Sequence, residues 1–474
     1  MASPIAERPA NQRDIHTVYM WAIASIAALG GFLFGYDWVV IGGAKPFYEA
    51  HFHLQSDRLV GWANSCALLG CLVGSFLAGA MNWKYGRKQI LLASGMLFAI
   101  SSVCTGWAPD FDAFIAWRIV GGVAIGLASN ISPTYIAEIA PANWRGRLVS
   151  LNQLAIVCGI MAAQIVNWAI AEKVPGHATM AFIAASWNGN YGWRWMFTAV
   201  SVPAIIFVIC LILIPESPRW LASKARTEKA FQVLARIGGA NYAHRALVEI
   251  NESLESESGR SASWKDLLAP SLRYVLLIGV GLAILQQWSG INILFNYAEE
   301  VYKSAGYGIS AVLVNIIVTG VVNLLFTLLS MALVDRFGRR VLLLVGCGGI
   351  GIADLLAAYA YRAHLPGVFV LTLTLSAIAF YAVSLAPVTW VVISEIFPNR
   401  LRSAGVSTAV ASLWASSFLL TYSFPLLMNL VSMSGTFLLY GVICLLGGLL
   451  VYKFVPETRG KSLEELEITL NTRA

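Results

Sequence analysis

Two residues of opposite charge, Asp37 and Arg118, lie in apolar stretches of sequence long enough to form membrane helices. A charged side chain at bilayer depth costs about 3 kcal/mol on insertion scales, so it usually faces a partner or a cavity and marks an ion path. A carboxyl group that alternates between a cationic partner and an apolar surrounding can bind a proton in one state and release it in the other. We therefore predict that Asp37 carries a proton and that Arg118 modulates it. The alternative is a static ion pair that joins two helices.

A second set of residues is polar but uncharged. The amide side chains of Gln and Asn are both donors and acceptors, which suits a neutral solute with many hydroxyl groups. Residues 286 and 287 point about 100° apart on a helix and 292 lies roughly a turn and a half further, so one stripe of a helix can face a cavity. The alternative is that each amide joins neighbouring helices within the bilayer. The candidate amides are Gln153, Gln286, Gln287, Asn292 and Asn323, and Trp390 offers an apolar face for a ring-shaped solute.

The composition indicates which elements carry these side chains. The chain has 474 residues, of which 58% are hydrophobic and 12% charged, about half the charge of an ordinary globular domain. A spanning helix needs about 20 apolar residues, and eight charge-free stretches meet that need. They are 17–36, 59–83, 89–109, 148–171, 195–215, 274–298, 304–334 and 363–394.

Four more spans complete the prediction. The charge-free stretch 403–452 is too long for one span and reads as two, with a break near 432–435. The stretches 114–137 and 341–361 are apolar apart from Arg118 and Asp354. The sequence thus predicts an all-α membrane protein with 12 transmembrane helices. Asp354 is expected in the outer half of its span, within reach of headgroup water.

The loop charges predict the orientation, because cytoplasmic loops carry the excess of Lys and Arg. With both termini inside, 24 of the 32 basic residues fall in inner segments and 6 in outer ones, and the first outer segment is 42–58. We therefore expect both termini to be cytoplasmic and the first span to be retained. Asp37 is then expected at the outer end of the first span. The net charge of +7 then reflects orientation, and no nucleic-acid partner is expected.

The cysteines, a glycine-rich pattern and a pair of histidines do not indicate a further functional site. All seven cysteines fall in predicted spans, so no disulfide framework is indicated. Residues 346–351 match the glycine pattern of a dinucleotide site, but they lie inside a span and no acidic residue follows at the required distance. His51 and His53 form a pair in an outer segment, but no further His or Cys joins them. We expect no enzyme activity, no cofactor and no metal.

The chain repeats itself, and the repeats stand at the same membrane side. Glu138 is followed by Arg145, and Glu395 by Arg402, with the same spacing. The paired motifs are WKYGRK (83–88) with DRFGRR (335–340), EIAP (138–141) with EIFP (395–398), and PES (215–217) with PET (456–458). Two related six-helix halves are typical of transporters with a mid-membrane solute site. The predicted domains are 1–221, a linker of short amphipathic cytoplasmic helices at 222–272, and 273–474.

Through these repeats and several longer motifs, the chain resembles the sugar porter branch of the major facilitator superfamily. Within that branch it is most similar to the bacterial D-xylose/proton symporters. The motifs are GGFLFGYD (30–37), PESPRWL (215–221), QQ (286–287) with GIN (290–292), and PETRGKSLEEL (456–466). The resemblance covers essentially the whole chain. It implies the major facilitator fold with two pseudo-symmetric six-helix bundles, and alternating-access transport of a neutral pentose or hexose coupled to proton symport. It also implies a functional monomer in the lipid bilayer of the cell (inner) membrane.

The resemblance assigns sugar contacts to the amides above and to Trp390, and it places Tyr381, Trp414 and Phe34 at the border of the site. Asn296, also a candidate for substrate binding, stands where the family usually has a gating tyrosine, and Leu413 stands where a polar residue is common. Ala386 stands where glycine is usual. In the family, symporters carry Asp at the position of Asp37, whereas facilitators tend to carry Asn.

The repeated motifs supply a predicted cytoplasmic gate. Ion pairs among its charges would hold the inner ends of the two halves together when the carrier opens outward, and such a latch must break in every cycle. The alternative is a solvated surface. The gate residues are Glu138, Arg145, Glu395, Arg402, Asp335, Arg87 and Arg339. A proton-independent facilitator, a polyol or inositol carrier and a transporter-like sugar sensor remain alternatives to symport.

Overall fold

The computed structural model describes residues 15–175, 178–258, 270–397 and 401–458, and most of them are helical. Eleven helical segments among them are long and apolar enough to cross a membrane. The last of these, Ala404–Phe454, is 51 residues long and breaks at Ser432, where φ is 66°. It therefore crosses twice, which gives the 12 spans that the sequence predicts.

The helices of the N-terminal half are α1 (Thr17–His51), α2 (Asp57–Tyr85), α3 (Arg87–Gly106), α4 (Phe111–Ile139), α5 (Ala142–Ile170), α6 (Met180–Ala185), a π-helical turn (Asn188–Gly192), α7 (Trp193–Thr198) and α8 (Ser201–Leu213). Between the halves lie α9 (Pro218–Ser223) and α10 (Thr227–Ser258). The C-terminal half contains α11 (Pro270–Trp288), α12 (Ile291–Asn296), α13 (Ala298–Ser304), α14 (Ile309–Phe337), α15 (Arg339–Arg362), α16 (Gly367–Val383), α17 (Leu385–Ile396) and α18 (Arg402–Phe454).

The first helix is longer than the sequence predicts. Residues 38–44 are uncharged and mostly apolar, and the helix continues through Pro46 to His51. The segment 42–58, expected to be an outer loop, is thus helical over much of its length. Asp37 consequently lies in the interior of α1 and not at its outer end, and Lys45 lies in a helix and not in a loop.

Each half packs as a bundle. In the N-terminal half α1 packs on α5, and α4 on both α2 and α3; in the C-terminal half α18 packs on α11 and α15. Small residues allow this close approach, as is usual in membrane helices. An added Cβ at Gly35 would collide with the carbonyl of Ile156, and one at Gly159 with the carbonyl of Phe32. The two halves meet where α2 packs on α18 and α5 on α14.

The predicted linker contains α10, which bends at Gly238 and Gly239. One face of this helix is apolar and buried, and it consists of Ala230, Val233, Leu234 and Ile237. The predicted linker ends near residue 272, shortly after residues 259–269, which lie outside the described ranges. The domain limits therefore stay predictions.

We use the term outer end for the side of the bundle that carries residues 52–56 and 305–308, following the predicted orientation. The halves touch there. The backbone N–H of Val174 donates to Ser310 Oγ at 3.0 Å, and Asn429 Nδ2 donates to Asp57 Oδ2 at 2.5 Å. The protein is therefore closed at its outer end.

Candidate functional site

The predicted charged pair is formed. Arg118 Nη1 donates to both Asp37 Oδ1 and Asp37 Oδ2 at 3.2 Å. Asp37 is 2% exposed and Arg118 3% exposed, so the pair is sealed from solvent in this state. It joins α1 to α4 inside the N-terminal half.

Little else in the described structure supports this pair with polar contacts. Arg118 Nε has no hydrogen-bond partner, and the guanidinium carbon lies 5.4 Å from the centre of the Phe197 ring. Gly121 lies close beside Asp37, since a Cβ there would be 3.5 Å from Asp37 Oδ2 and only 3.2 Å from Ser101 Oγ. The two charges thus depend mainly on each other, and a change in their distance would change the proton affinity of the site.

The predicted amides of the seventh span form a connected chain. Gln286 Nε2 donates to the carbonyl oxygens of Leu385 at 2.9 Å and Ala386 at 3.2 Å. Gln287 Nε2 donates to Gln286 Oε1 at 3.4 Å. Asn292 Nδ2 donates to Gln287 Oε1 and continues the chain. The amides are buried and uncharged, which fits a neutral hydroxylated solute.

Local backbone breaks position this chain. Gly290 has a φ of +79° and separates α11 from α12, so Asn292 turns back toward Gln287. The bonds of Gln286 reach the first turn of α17, next to the break at Ser384. Irregular backbone at membrane depth occurs where it is buried in protein or lines a cavity.

Trp414 connects this region to the N-terminal half. Asn292 Nδ2 also donates to Ser417 Oγ at 3.2 Å, and Ser417 follows Trp414 by one helical turn on α18. The Trp414 ring lies 5.8 Å from the Phe34 ring on α1, and its Nε1 is buried without a hydrogen-bond partner. A free indole N–H beside the amide chain is a donor for a solute oxygen.

The other predicted sugar contacts are not joined to the chain. Gln153 and Tyr381 are half-buried, Asn323 is buried, and Trp390 is 36% exposed. Within the described ranges none of these four side chains hydrogen-bonds to the amide chain. Their part in the site stays a prediction.

Asn296 lies where the two halves meet near the outer end. It is 2% exposed, its Oδ1 has no hydrogen-bond partner, and a Cβ on Gly42 of α1 would be 3.4 Å from its Cα. The neighbouring Phe295 ring is 5.8 Å from the Trp38 ring. The role of Asn296 in substrate binding stays a prediction.

The gate motif of the N-terminal half forms a compact charge cluster. Arg87 Nη2 pairs with Glu138 Oε1 at 2.6 Å, and Ser217 Oγ donates to Glu138 Oε2 at 2.5 Å. Glu216 Oε1 accepts the backbone N–H groups of Arg87 at 2.9 Å and Lys88 at 3.1 Å. Burial raises the pKa of Glu216, and these N–H donors oppose the shift.

The C-terminal half repeats the arrangement. Arg339 pairs with Glu395 at 3.5 Å, and its backbone N–H donates to Glu457 Oε1 at 2.9 Å. These ion pairs lie within one half or the other, so the structure shows no inner latch between halves among the described residues, and that latch stays a prediction. The side chains of Asp335 and Arg402 lie outside those described, and the structure gives Arg145 no pairing to this motif.

Sequence reasoning missed a buried charge cluster at the outer end. Lys45 Nζ pairs with Glu49 Oε1 at 2.8 Å on its own helix. Across the boundary between the halves it pairs with Glu300, and it lies 3.9 Å from Glu299 Oε2. We call these four residues the outer cluster. The signal was available, since the apolar run 38–44 continues the first span up to Lys45.

Two further polar residues stand apart from the predictions. Gln164, which the sequence analysis did not select, donates through Nε2 to Thr319 Oγ1 at 3.4 Å and so joins α5 to α14 across the halves. The expectation that Asp354 reaches headgroup water is wrong. Asp354 is 3% exposed, its Oδ2 has no hydrogen-bond partner, and α15 packs against α16 and α18.

Known proteins share this architecture. Residues 23–470 match the family model described as "Sugar (and other) transporter". The chain is 37% identical to the D-xylose-proton symporter of Escherichia coli (strain K12), covering 95% of each chain. It is 36% identical to the arabinose-proton symporter of Bacillus subtilis (strain 168), covering 94% of each. The xylose transporter of E. coli in a partially occluded inward open conformation superposes with a TM-score of 0.82 at 36% identity, over 94% of this chain and 100% of that one.

Proposed function

The chain belongs to the sugar transporter family, with the 12-helix major facilitator fold, and from this premise we propose that it is a proton-coupled symporter of a neutral monosaccharide. The solute is a pentose or hexose, and transport proceeds by alternating access. The relatives named as D-xylose- and arabinose-proton symporters support both the substrate class and the coupling ion.

The sealed Asp37–Arg118 pair is the observation that carries the coupling. It lies in a membrane interior whose other site residues are neutral, so a proton on Asp37 is the simplest charge change available there. A nearby Arg118 favours the ionised form of Asp37, and burial favours the protonated form when the pair separates. Arg118 thus modulates the proton that Asp37 carries.

The neutral solute is held mainly by the C-terminal half of the molecule. Gln287, Asn292 and Trp414 offer donors and acceptors without charge, and Phe34 adds an apolar ring from the N-terminal half. Gln153, Gln286, Asn323, Tyr381 and Trp390 belong to the same proposed site. A solute held by both halves couples their relative motion to its own binding.

The decisive experiment is transport by the purified protein in proteoliposomes. A panel of pentoses, hexoses and polyols should reveal one or a few sugars that accumulate against their gradient when a proton gradient is imposed. Adding such a sugar outside should make the outer medium more alkaline, because a proton enters with each sugar. Uptake that only equilibrates, without alkalinisation, would show a facilitator, and accumulation of a polyol alone would change the substrate class.

The remaining parts of the proposal concern topology. The protein resides in the inner membrane of the cell with both termini cytoplasmic, acts as a monomer, and catalyses no chemical reaction. The charges of the inner motifs, Glu138 and Glu395 among them, re-pair across the halves in the outward-open state. Protease accessibility of a C-terminal tag in inside-out and right-side-out vesicles tests the orientation directly.

A further inference from the structure

The outer cluster joins the two halves through one buried ammonium group. Lys45 on α1 is 1% exposed, and Glu49 and Glu299 are each 8% exposed. Two of its three carboxylates, those of Glu299 and Glu300, lie on α13 in the other half. The cluster can therefore exist in this form only while the outer ends are closed.

The charges of the cluster do not balance. One oxygen from each of Glu49, Glu299 and Glu300 lies within 4.8 Å of the others, and Lys45 is the one buried cation among them in the part of the chain that the structure describes. Lys303 approaches Glu299 Oε1 at 3.7 Å, but its side chain is 58% exposed, so solvent screens its charge. Glu299 Oε2 is buried and has no hydrogen-bond partner.

Carboxylates this close cannot all stay ionised without further positive charge. Beyond Lys45 the described surroundings supply only the exposed Lys303 and the neutral phenols of two tyrosines. The Tyr297 ring centre is 5.6 Å from Lys45 Nζ, and its hydroxyl donates to the carbonyl of Thr421 at 2.7 Å. Tyr48 Oη is buried without a partner.

We propose that the outer cluster is a second proton-binding site, which takes up one proton as the outer ends of the two halves close. The inference rests on the alternating opening and closing of the proposed function, but not on proton coupling at Asp37. The proton is shared by the three carboxyl groups of the cluster, of which Glu300 pairs with Lys45 across the boundary between the halves.

The expected pH dependence follows from Glu300. Burial raises the pKa of Glu300 to about 8 in the closed cluster, although Lys45 opposes that shift. In the open state the carboxyl is solvated, with an ordinary pKa of about 4.3. Closure therefore gains a proton between these two values. It is favoured fully at low pH and loses this contribution as the pH rises toward 8.

Spin-label distance measurements test the proposal without requiring transport. Labels at Gln55→Cys and Ala363→Cys, both exposed at the outer end of opposite halves, report the closed fraction; the half-buried Cys104, Cys158 and Cys210 are replaced by Ser. In the Asp37→Asn background the closed-to-open ratio should fall about tenfold per pH unit between pH 5 and 7, the slope for one proton. Failure of sugar accumulation in this background leaves the measurement intact.

Variants separate the cluster from other titrating groups. Glu300→Gln should keep the ratio constant within about twofold over the same range, and Glu300→Asp, which keeps a titratable group, should retain a slope. Glu299→Gln removes one negative charge and should move the transition to lower pH. Asp112→Asn, an exposed acid at the same end of the molecule, should leave the slope unchanged.

Three results would overturn the proposal. A ratio that does not depend on pH in the parent protein excludes proton uptake on closure. A full slope in both Glu300→Gln and Glu299→Gln places the titrating group elsewhere. A ratio that responds at constant pH to millimolar Na⁺, Mg²⁺ or Ca²⁺, or to a chelator, would mean that the cluster takes a metal ion instead of a proton.

Discussion

The two halves of the molecule agree at their inner ends and differ in the membrane interior. Gly86 and Gly338 have φ values of 90° and 85°, and each precedes a helix whose first N–H groups donate to a glutamate, Glu216 or Glu457. Those N–H groups have no partner within their own helix, so a carboxylate caps each one. This carboxylate cap occurs in both halves and is therefore part of the scaffold that they share.

The interiors carry different chemistry. The N-terminal half holds the sealed Asp37–Arg118 pair, whereas the C-terminal half holds the neutral chain of Gln286, Gln287 and Asn292. Duplication supplies the same scaffold twice, so the parts that are not repeated point to the specialised roles. We infer that the N-terminal half responds to protons and that the C-terminal half holds most of the solute.

Removing the charge from the N-terminal half should have the largest effect. A potential of about 100 mV is worth about 2.3 kcal/mol per charge, and 1.4 kcal/mol is tenfold, so one coupled proton sustains roughly fifty-fold accumulation. Asp37→Asn should abolish this accumulation, because the site no longer changes charge. Counterflow exchange of labelled sugar should persist. The measurement is uptake with and without an imposed potential.

Asp112→Asn provides the matched control for that charge change, since Asp112 is exposed. Its accumulation should equal that of the parent protein. Accumulation against a gradient by Asp37→Asn would show that the coupling acid lies elsewhere. That result would contradict the inference that the N-terminal half responds to protons through Asp37.

The sequence predicts the fold well because hydrophobic length and loop charge are strong, local signals. The break at Ser432 and the pairing of Asp37 with Arg118 follow from the same signals. The features that the sequence does not predict depend on tertiary contacts. The first charge-free stretch ends at residue 36, before Asp37, so the predicted span stops short of Lys45, and only packing across the halves brings Glu299 and Glu300 to this lysine. Asp354 was expected near water, yet neighbouring helices cover it.

The second prediction concerns the neutral half. Gln287→Leu removes an amide from the middle of the chain and leaves the buried amide of Asn292 without one partner, which typically costs about 1–3 kcal/mol. Sugar affinity should fall about 10- to 100-fold, while the number of protons carried per sugar stays the same. Binding is measured by calorimetry and the proton ratio by alkalinisation.

Gln89→Leu is the control, because Gln89 is an exposed amide at the inner end and should leave affinity unchanged. A loss of proton coupling in Gln287→Leu, with affinity intact, would contradict the assignment of solute binding to the C-terminal half.

The third prediction tests how closely the repeated inner motifs match. Glu138 accepts hydrogen bonds from both Arg87 and Ser217. Its counterpart Glu395 is 3.5 Å from Arg339, and Thr458, at the position that corresponds to Ser217, has a hydroxyl without a partner. Glu138→Gln should thus cost about 1–3 kcal/mol of stability and Glu395→Gln about 0–1 kcal/mol. Melting temperatures of the two variants in detergent give the comparison, and equal losses would mean that the halves are equivalent there.

The smallest effect is expected at Asp354, the buried acid of the C-terminal half. In the described structure it forms no ion pair, and its Oδ2 has no hydrogen-bond partner. An unpaired buried carboxyl group destabilises the fold, so Asp354→Asn, of nearly the same shape, should leave the melting temperature unchanged or raise it. Accumulation and sugar affinity should both equal those of the parent protein. If Asp354→Asn lost accumulation instead, the membrane interior of the C-terminal half would carry a coupling acid of its own, and the contrast between a charged and a neutral interior would have to be abandoned.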